Sequence, residues 1–172
     1  ITLCEGAIQA LNGSVGTFSS VPIFNEDFNA VVNGWTVANT STDGDTAASQ
    51  WTLQNSTYAY ASSTWNVSIR SDDNSQFYLA NADSQGSSLM PFVITRTTLQ
   101  SPAFSLIGYT SATLNFYHYL RYIGGDSFAV EVSTNGGASW TVAQNYAATQ
   151  GTPLNFANAT IDLSAYLANP SV

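Results

Sequence analysis

Lysine is absent from this sequence, and its only cations are Arg70, Arg96 and Arg121. Set against 11 acids, they leave a net charge of -8. A surface of that sign repels phosphate, which argues against nucleic acid and anionic membranes as partners. Charge of either sign is scarce, at 8% of residues. The single cysteine, Cys4, excludes an internal disulfide framework and a cysteine-based zinc site. There is one histidine, His118, and no G-x-S-x-G elbow, so little is available for a nucleophile and its base. No apolar run approaches the roughly 20 residues of a spanning helix, and no membrane insertion by a helix is expected. Helix signals are nearly missing as well. Only Leu163–Ala168 could form a turn, after an Asp162 cap.

What is present suits one domain with a sizeable core. The chain has 172 residues, 44% hydrophobic and 13% aromatic. A disordered chain would show the reverse balance. Ser, Thr, Asn and Gln carry the polar half in place of charge, a composition common in secreted proteins, so an extracellular location is expected. From Val21 onward, short β-rich runs alternate with Gly, Asn, Asp and Ser turns at spacings of roughly 8–12 residues. That texture predicts an all-β fold, a jelly-roll β-sandwich of two antiparallel sheets. Residues 1–20 read as a leader or the edge of a neighbouring module, and residues 21–172 as the jelly-roll domain.

The clearest strands lie in the second half. Ala112–Tyr122 alternates, with Leu114, Phe116, His118 and Leu120 on one face and Thr113, Asn115, Tyr117, Tyr119 and Arg121 on the other. Arg121 is expected to be exposed or paired with an aromatic face. Ser127–Ser133 follows with Phe128, Val130 and Val132 inward. Next comes STNGGASW, Ser133–Trp140, which nearly matches the Asp-box of sialidases, with Asn in place of Asp. A sialidase propeller needs several four-stranded blades, roughly twice this length, and a box in each. Here the box occurs once. It reads as a hairpin turn whose glycines supply positive φ, whose Ser and Asn bond the turn backbone, and whose Trp packs beneath it.

Several segments in succession carry a family resemblance: FNEDFNAVVNGWTV (Phe24–Val37), FYLANADSQGSS (Phe77–Ser88), TTLQSPAFSLIGYTSATLNFYHYLRY (Thr97–Tyr122), GDSFAVEVSTNGGASW (Gly125–Trp140) and ATIDLSAYLANPSV (Ala159–Val172). Together they resemble the MAM-like jelly rolls of the choice-of-anchor J or cleaved-adhesin type, found in large surface proteins of Bacteroidetes-type bacteria. Residues 1–15 look like a piece of the Ig-like repeats that often precede such domains. The family pattern continues past the point matching Val172 with further strands, so the resemblance implies an open edge here. Three explanations stand side by side: truncation, a separate fragment, or a strand supplied by another chain or by the N-terminal segment.

Glu26 is the most informative acid. On a strand it would share a face with Phe24 and Phe28, and a carboxylate there needs a cation, an arginine or hydrogen-bond donors. The resemblance implies calcium, with Glu26, Asn81 and Asp83 as ligands. The alternative is a paired or bulge-exposed Glu26 and a solvated turn over Asn81–Gly86. Asp43 with Asp45, and Asp72 with Asp73, are lesser candidates that read more readily as exposed turns. His118 reads as a core histidine with one satisfied ring nitrogen. Tyr58, Tyr60 and Trp65 form one aromatic group, and Tyr117 with Tyr119 an outward pair. Exposed flat rings beside amide side chains suit sugars, whereas packed rings would serve the sandwich. The expectation is a non-catalytic adhesion or structural module of a bacterial cell-surface protein that contacts surface glycans or proteins and is stabilised by calcium. The alternatives are a carbohydrate-binding module of a secreted enzyme, and a filament subunit joined to a neighbouring chain by β-strand complementation.

Overall fold

The computed structural model describes residues 20–30, 33–63, 65–86 and 93–172. The expected leader, with Cys4, lies outside the described residues apart from Ser20. The chain is an all-β sandwich built from antiparallel strands. In order these are β1 (Thr36–Asn39), β2 (Thr52–Gln54), β3 (Thr57–Ala61), β4 (Asn66–Arg70), β5 (Phe77–Leu79), β6 (Thr97–Gln100), β7 (Thr113–His118), β8 (Phe128–Val132), β9 (Thr141–Tyr146) and β10 (Ala157–Asp162). Among the described residues they pair as five antiparallel ribbons, β1–β6, β2–β5, β3–β4, β7–β10 and β8–β9, which do not merge into two closed sheets.

Alternation places the core. On β7, Leu114, Phe116 and His118 turn inward while Thr113, Asn115 and Tyr117 face out. On β8, Phe128, Val130 and Val132 turn inward. The best-buried cluster is Leu106, Val132, Ile161 and Leu163, with Leu114 and Phe116 packed against it. Burying side chains of this size is worth about 1.5–3 kcal/mol each. β7 is shorter than the expected strand over Ala112–Tyr122. Its ladder with β10 ends at the His118–Ala157 pair, and beyond it only Leu120 bridges, to Gln150.

Among the described residues, helix is confined to single turns. Asp45 caps α1 (Thr46–Ser49) by accepting the Ala48 N–H at 3.0 Å. Asn81 caps a 3₁₀ turn over Ala82–Gln85, and Asp162 accepts the Ser164 N–H at 2.8 Å before a second over Ser164–Tyr166.

The stretch from Phe24 to Phe28 is not a strand, so the face-sharing argument for Glu26 does not hold. The reason is local. Glu26 Oε1 accepts the Phe28 N–H at 2.6 Å, Asp27 Oδ1 accepts the Asn29 N–H at 3.0 Å, and Phe28 sits at φ 58°. Side chains that bond their own backbone compete with a ladder. Aromatic contacts anchor the segment instead. Phe28 meets Trp35 and Tyr78 edge-on at 5.3 and 5.2 Å, and Phe24 stacks on Phe104 at 6.4 Å.

Candidate functional site

The near-Asp-box folds as a self-bonded turn between β8 and β9. Ser133 Oγ accepts the Gly137 N–H at 2.8 Å and the Asn135 N–H at 3.3 Å. Asn135 Oδ1 accepts the Ser139 N–H at 3.0 Å, and its Nδ2 donates to Ser139 Oγ at 2.7 Å. Gly136 and Gly137 hold φ of 71° and 87°, where a side chain is strained. A Cβ on Gly137 would meet Trp140 at 3.4 Å, so the indole lies against the turn. The polar groups of this box are spent on its own geometry.

Two groups of residues that the sequence keeps apart meet in one network. Tyr58 and Tyr60 project from the same, half-buried face of β3. Tyr60 lies 5.6 Å from Trp65, with the rings tilted by 47°. The Arg121 guanidinium sits 4.2 Å over the Trp65 ring and pairs with Asp83 Oδ2 at 3.5 Å. Asn81 Nδ2 donates to the Tyr58 hydroxyl at 3.0 Å, and its Oδ1 accepts the Asp83 N–H at 3.1 Å. Tyr60 and Trp65 therefore make no flat platform, and a cation already covers one face of Trp65. Arg121 is the residue that links the two groups, and its stacking on an aromatic ring is the pairing expected from its place after Tyr119.

The metal set does not converge into a ready cage. Asn81 Oδ1 caps a turn, Asp83 faces Arg121, and Glu26 bonds its own chain. Among the described residues, no three His, Cys, Asp or Glu side chains group to hold an ion. The residues as placed do not fit a calcium ion without first giving up these bonds. Three of the four lesser acids, Asp45, Asp72 and Asp73, are likewise engaged. Asp45 caps α1, Asp73 accepts the Ser75 N–H at 2.9 Å, and both oxygens of Asp72 accept the Phe156 N–H. The hydrogen bonds from Ser75 hold the Asp73 carboxyl below its ordinary value.

Tyr117 and Tyr119 part company. Tyr117 is 67% exposed on the outer face of the β7–β10 ribbon. Its register neighbour there is Asn158, and Thr160 Oγ1 donates to Asn115 Oδ1 at 2.7 Å beside it. That stretch of the face carries amides, hydroxyls and one exposed ring, with Asp162 at its far end. Tyr119 lies past the end of the ladder and is half-buried. Burial pushes its phenol above the ordinary value, partly offset by Arg121.

A half-open cleft of 190 Å³ is lined by residues of β4, β5, β6 and β7. Phe77 and Tyr78 of β5, Leu99 of β6, and Trp51, Phe156 and His118 are among its walls. His118 stands between Phe116 and Tyr146, each ring 5.1 Å away. Both its ring nitrogens are dry, and among the described residues neither has a hydrogen-bond partner. This differs from the expected single satisfied nitrogen, because inward-facing apolar side chains surround the ring. Burial pushes the imidazole below its ordinary 6.5, and the Ala157 backbone across the ladder opposes this weakly, short of bonding geometry.

Gln85 escaped the sequence reading altogether. It is 2% exposed, its Nε2 lies within 3.2 Å of the carbonyls of Thr42, Asp43 and Ile94, and its Oε1 accepts from Ser49 and Thr95. It holds the acidic Ser41–Thr46 loop in place. A Cβ on Gly44 would collide with the Gln85 carbonyl, and Gly44 stands at φ 65°. Comparisons with protein-family models, with curated proteins and with solved structures find no match to this chain.

Proposed function

We propose that this chain is a non-catalytic, extracellular adhesion module of a bacterial surface protein, of the MAM-like choice-of-anchor J type. The observation that carries the reading is the outer face of the β7–β10 ribbon. There Tyr117 stands exposed among Asn115, Asn158 and Thr160. Amides and hydroxyls around one aromatic ring, with Asp162 at the far end of the same face, suit neutral hydroxyl-rich partners such as surface glycans, through stacking and hydrogen bonds. The tilt of Tyr60 against Trp65 and the cover of Trp65 by Arg121 weigh against a dedicated carbohydrate module built on those rings. Calcium enters as a competitor with Arg121 for Asp83.

Glycan-array binding of the whole chain, in calcium and in EDTA, tests this. Selective binding that falls in Tyr117→Ala is the expected result, and loss in EDTA adds calcium to the reading. An array with no selective signal in either buffer overturns it. A second reading rests on a different observation: among the described residues each strand pairs with only one other named strand, so every ribbon has open edges. Such edges suit strand addition by a neighbouring chain. Size-exclusion of the same sample distinguishes polymer from monomer.

A further inference from the structure

We propose that Asn33 is a site of spontaneous covalent modification, its side-chain amide lost to a succinimide formed with Gly34, and that the same dipeptide at Asn135–Gly136 is protected by its own turn. Both pairs lie among the described residues and share the chemistry that permits the step. In it the glycine amide nitrogen attacks Cγ of the preceding asparagine. A new C–N bond closes a ring, the bond from Cγ to Nδ2 breaks, and Nδ2 leaves as ammonia with the proton given up by the glycine nitrogen. Water then opens the ring at either carbonyl, giving aspartate or isoaspartate. A glycine has no side chain to hinder the attack, and both glycines stand at positive φ, 74° at Gly34 and 71° at Gly136. The dipeptide alone therefore ranks the two sites equally.

The folded chain separates them. Exposure favours Asn135, which is open to solvent, over the half-buried Asn33. Hydrogen bonding runs the other way and decides the order. Asn135 is held at both ends of its amide. Its Oδ1 accepts the Ser139 N–H at 3.0 Å and the Ser133 hydroxyl at 2.9 Å, and Nδ2, the departing atom, donates to Ser139 Oγ at 2.7 Å. These bonds must open before Cγ can turn onto the Gly136 nitrogen. Asn33 has one such tie, from the Trp35 N–H to Oδ1 at 3.1 Å, and its Nδ2 has no hydrogen-bond partner among the described residues. That tie is an Asx turn, which folds the side chain back over the Gly34 peptide. Two additional net hydrogen bonds are worth roughly 10- to 30-fold in the population able to react. The product adds a negative charge, and as isoaspartate an extra backbone methylene, close to Trp35. The ring of Trp35 meets Phe28 at 5.3 Å and Phe24 at 6.1 Å, so the change falls at the anchor of that segment.

The test is ageing of the full chain at mildly alkaline pH, folded and in urea, followed by chymotryptic digestion and mass spectrometry. Cleavage after aromatic residues places Asn33 in the peptide 29–35 and Asn135 in the peptide 129–140. The mass rise of an amide becoming a carboxyl follows each conversion, and fragment ions separate Asn33 from Asn29. In the folded chain Asn33 is expected to convert about 10- to 30-fold faster than Asn135. In urea, with both turns lost, the two are expected to convert at similar rates. Ser139→Ala removes the partner of the departing nitrogen and is expected to speed Asn135 by about 3- to 10-fold while leaving Asn33 unchanged. Equal rates in the folded chain, faster conversion at Asn135, or a ratio that persists in urea would each overturn the proposal. So would an Asn33 that stays intact in the folded chain while it converts in urea, or an Asn135 rate that Ser139→Ala does not move.

Discussion

Gln85 shows how much one neutral side chain can hold. Its amide is the partner of three backbone carbonyls and two hydroxyls that meet in the interior. Gln85→Leu keeps the bulk and strands those groups, and the loss is expected to be roughly 2–4 kcal/mol, read as a lower urea midpoint with unchanged slope. A slope change instead would mean that the native or unfolded ensemble itself had altered. His118 makes a prediction of opposite character, in pH. Its folded-state pKa lies below 6.5, for reasons of burial first. The unfolded chain therefore takes up a proton before the folded chain does. Stability is full above pH 6.5 and falls as the pH drops from there toward the folded value. Phe116 and Tyr146, the rings packed on it, carry no charge in that range. Asp73 and Asp162, whose folded values are lowered, act in a separate window, below the ordinary 3.8. Urea unfolding between pH 7.5 and 5 should thus slope in the natural chain and flatten in His118→Leu. An equal slope in both would place the proton elsewhere. That His118 faces inward was legible in the alternation of its strand. That neither nitrogen finds a partner was not, because it depends on which side chains the cross-strand register brings opposite.

The element that reads most completely from sequence is the β8–β9 hairpin. Its turn residues, its glycines and its inward valines all act within a short stretch, so local rules decide them. Asn135 holds the turn with two side-chain bonds to Ser139, and Asn135→Ala is expected to cost about 1–2 kcal/mol while leaving glycan binding at Tyr117 unchanged. Reduced binding together with the stability loss would give the box a role in contact after all. Elsewhere the reading thins out for physical reasons. β2 and β5 have three residues each, too few for alternation to declare a face. Phe24–Phe28 has the spacing of a strand, but acidic side chains bonded to their own backbone divert it into turns. The meeting of Trp65, Arg121 and Asp83 joins three separate segments, and no local pattern encodes such a meeting.

Across the whole molecule, the alternation of short β-rich runs with regularly spaced turns pointed to the all-β class. The partition into five ribbons was beyond it. Only β3–β4 and β8–β9 join neighbouring strands, while β1 reaches to β6, β2 to β5 and β7 to β10. That pairing pattern has a kinetic side. Hairpins close in about 1–10 μs, whereas pairings between distant segments wait on the closure of long loops. The turn at Ser133–Trp140, whose Ser133, Asn135 and Ser139 bonds lie within it, can then be complete while most of the chain is still searching. Its ribbon carries Val130 and Val132, and the core they join in the folded chain includes Leu114 and Phe116 of β7 and Ile161 of β10.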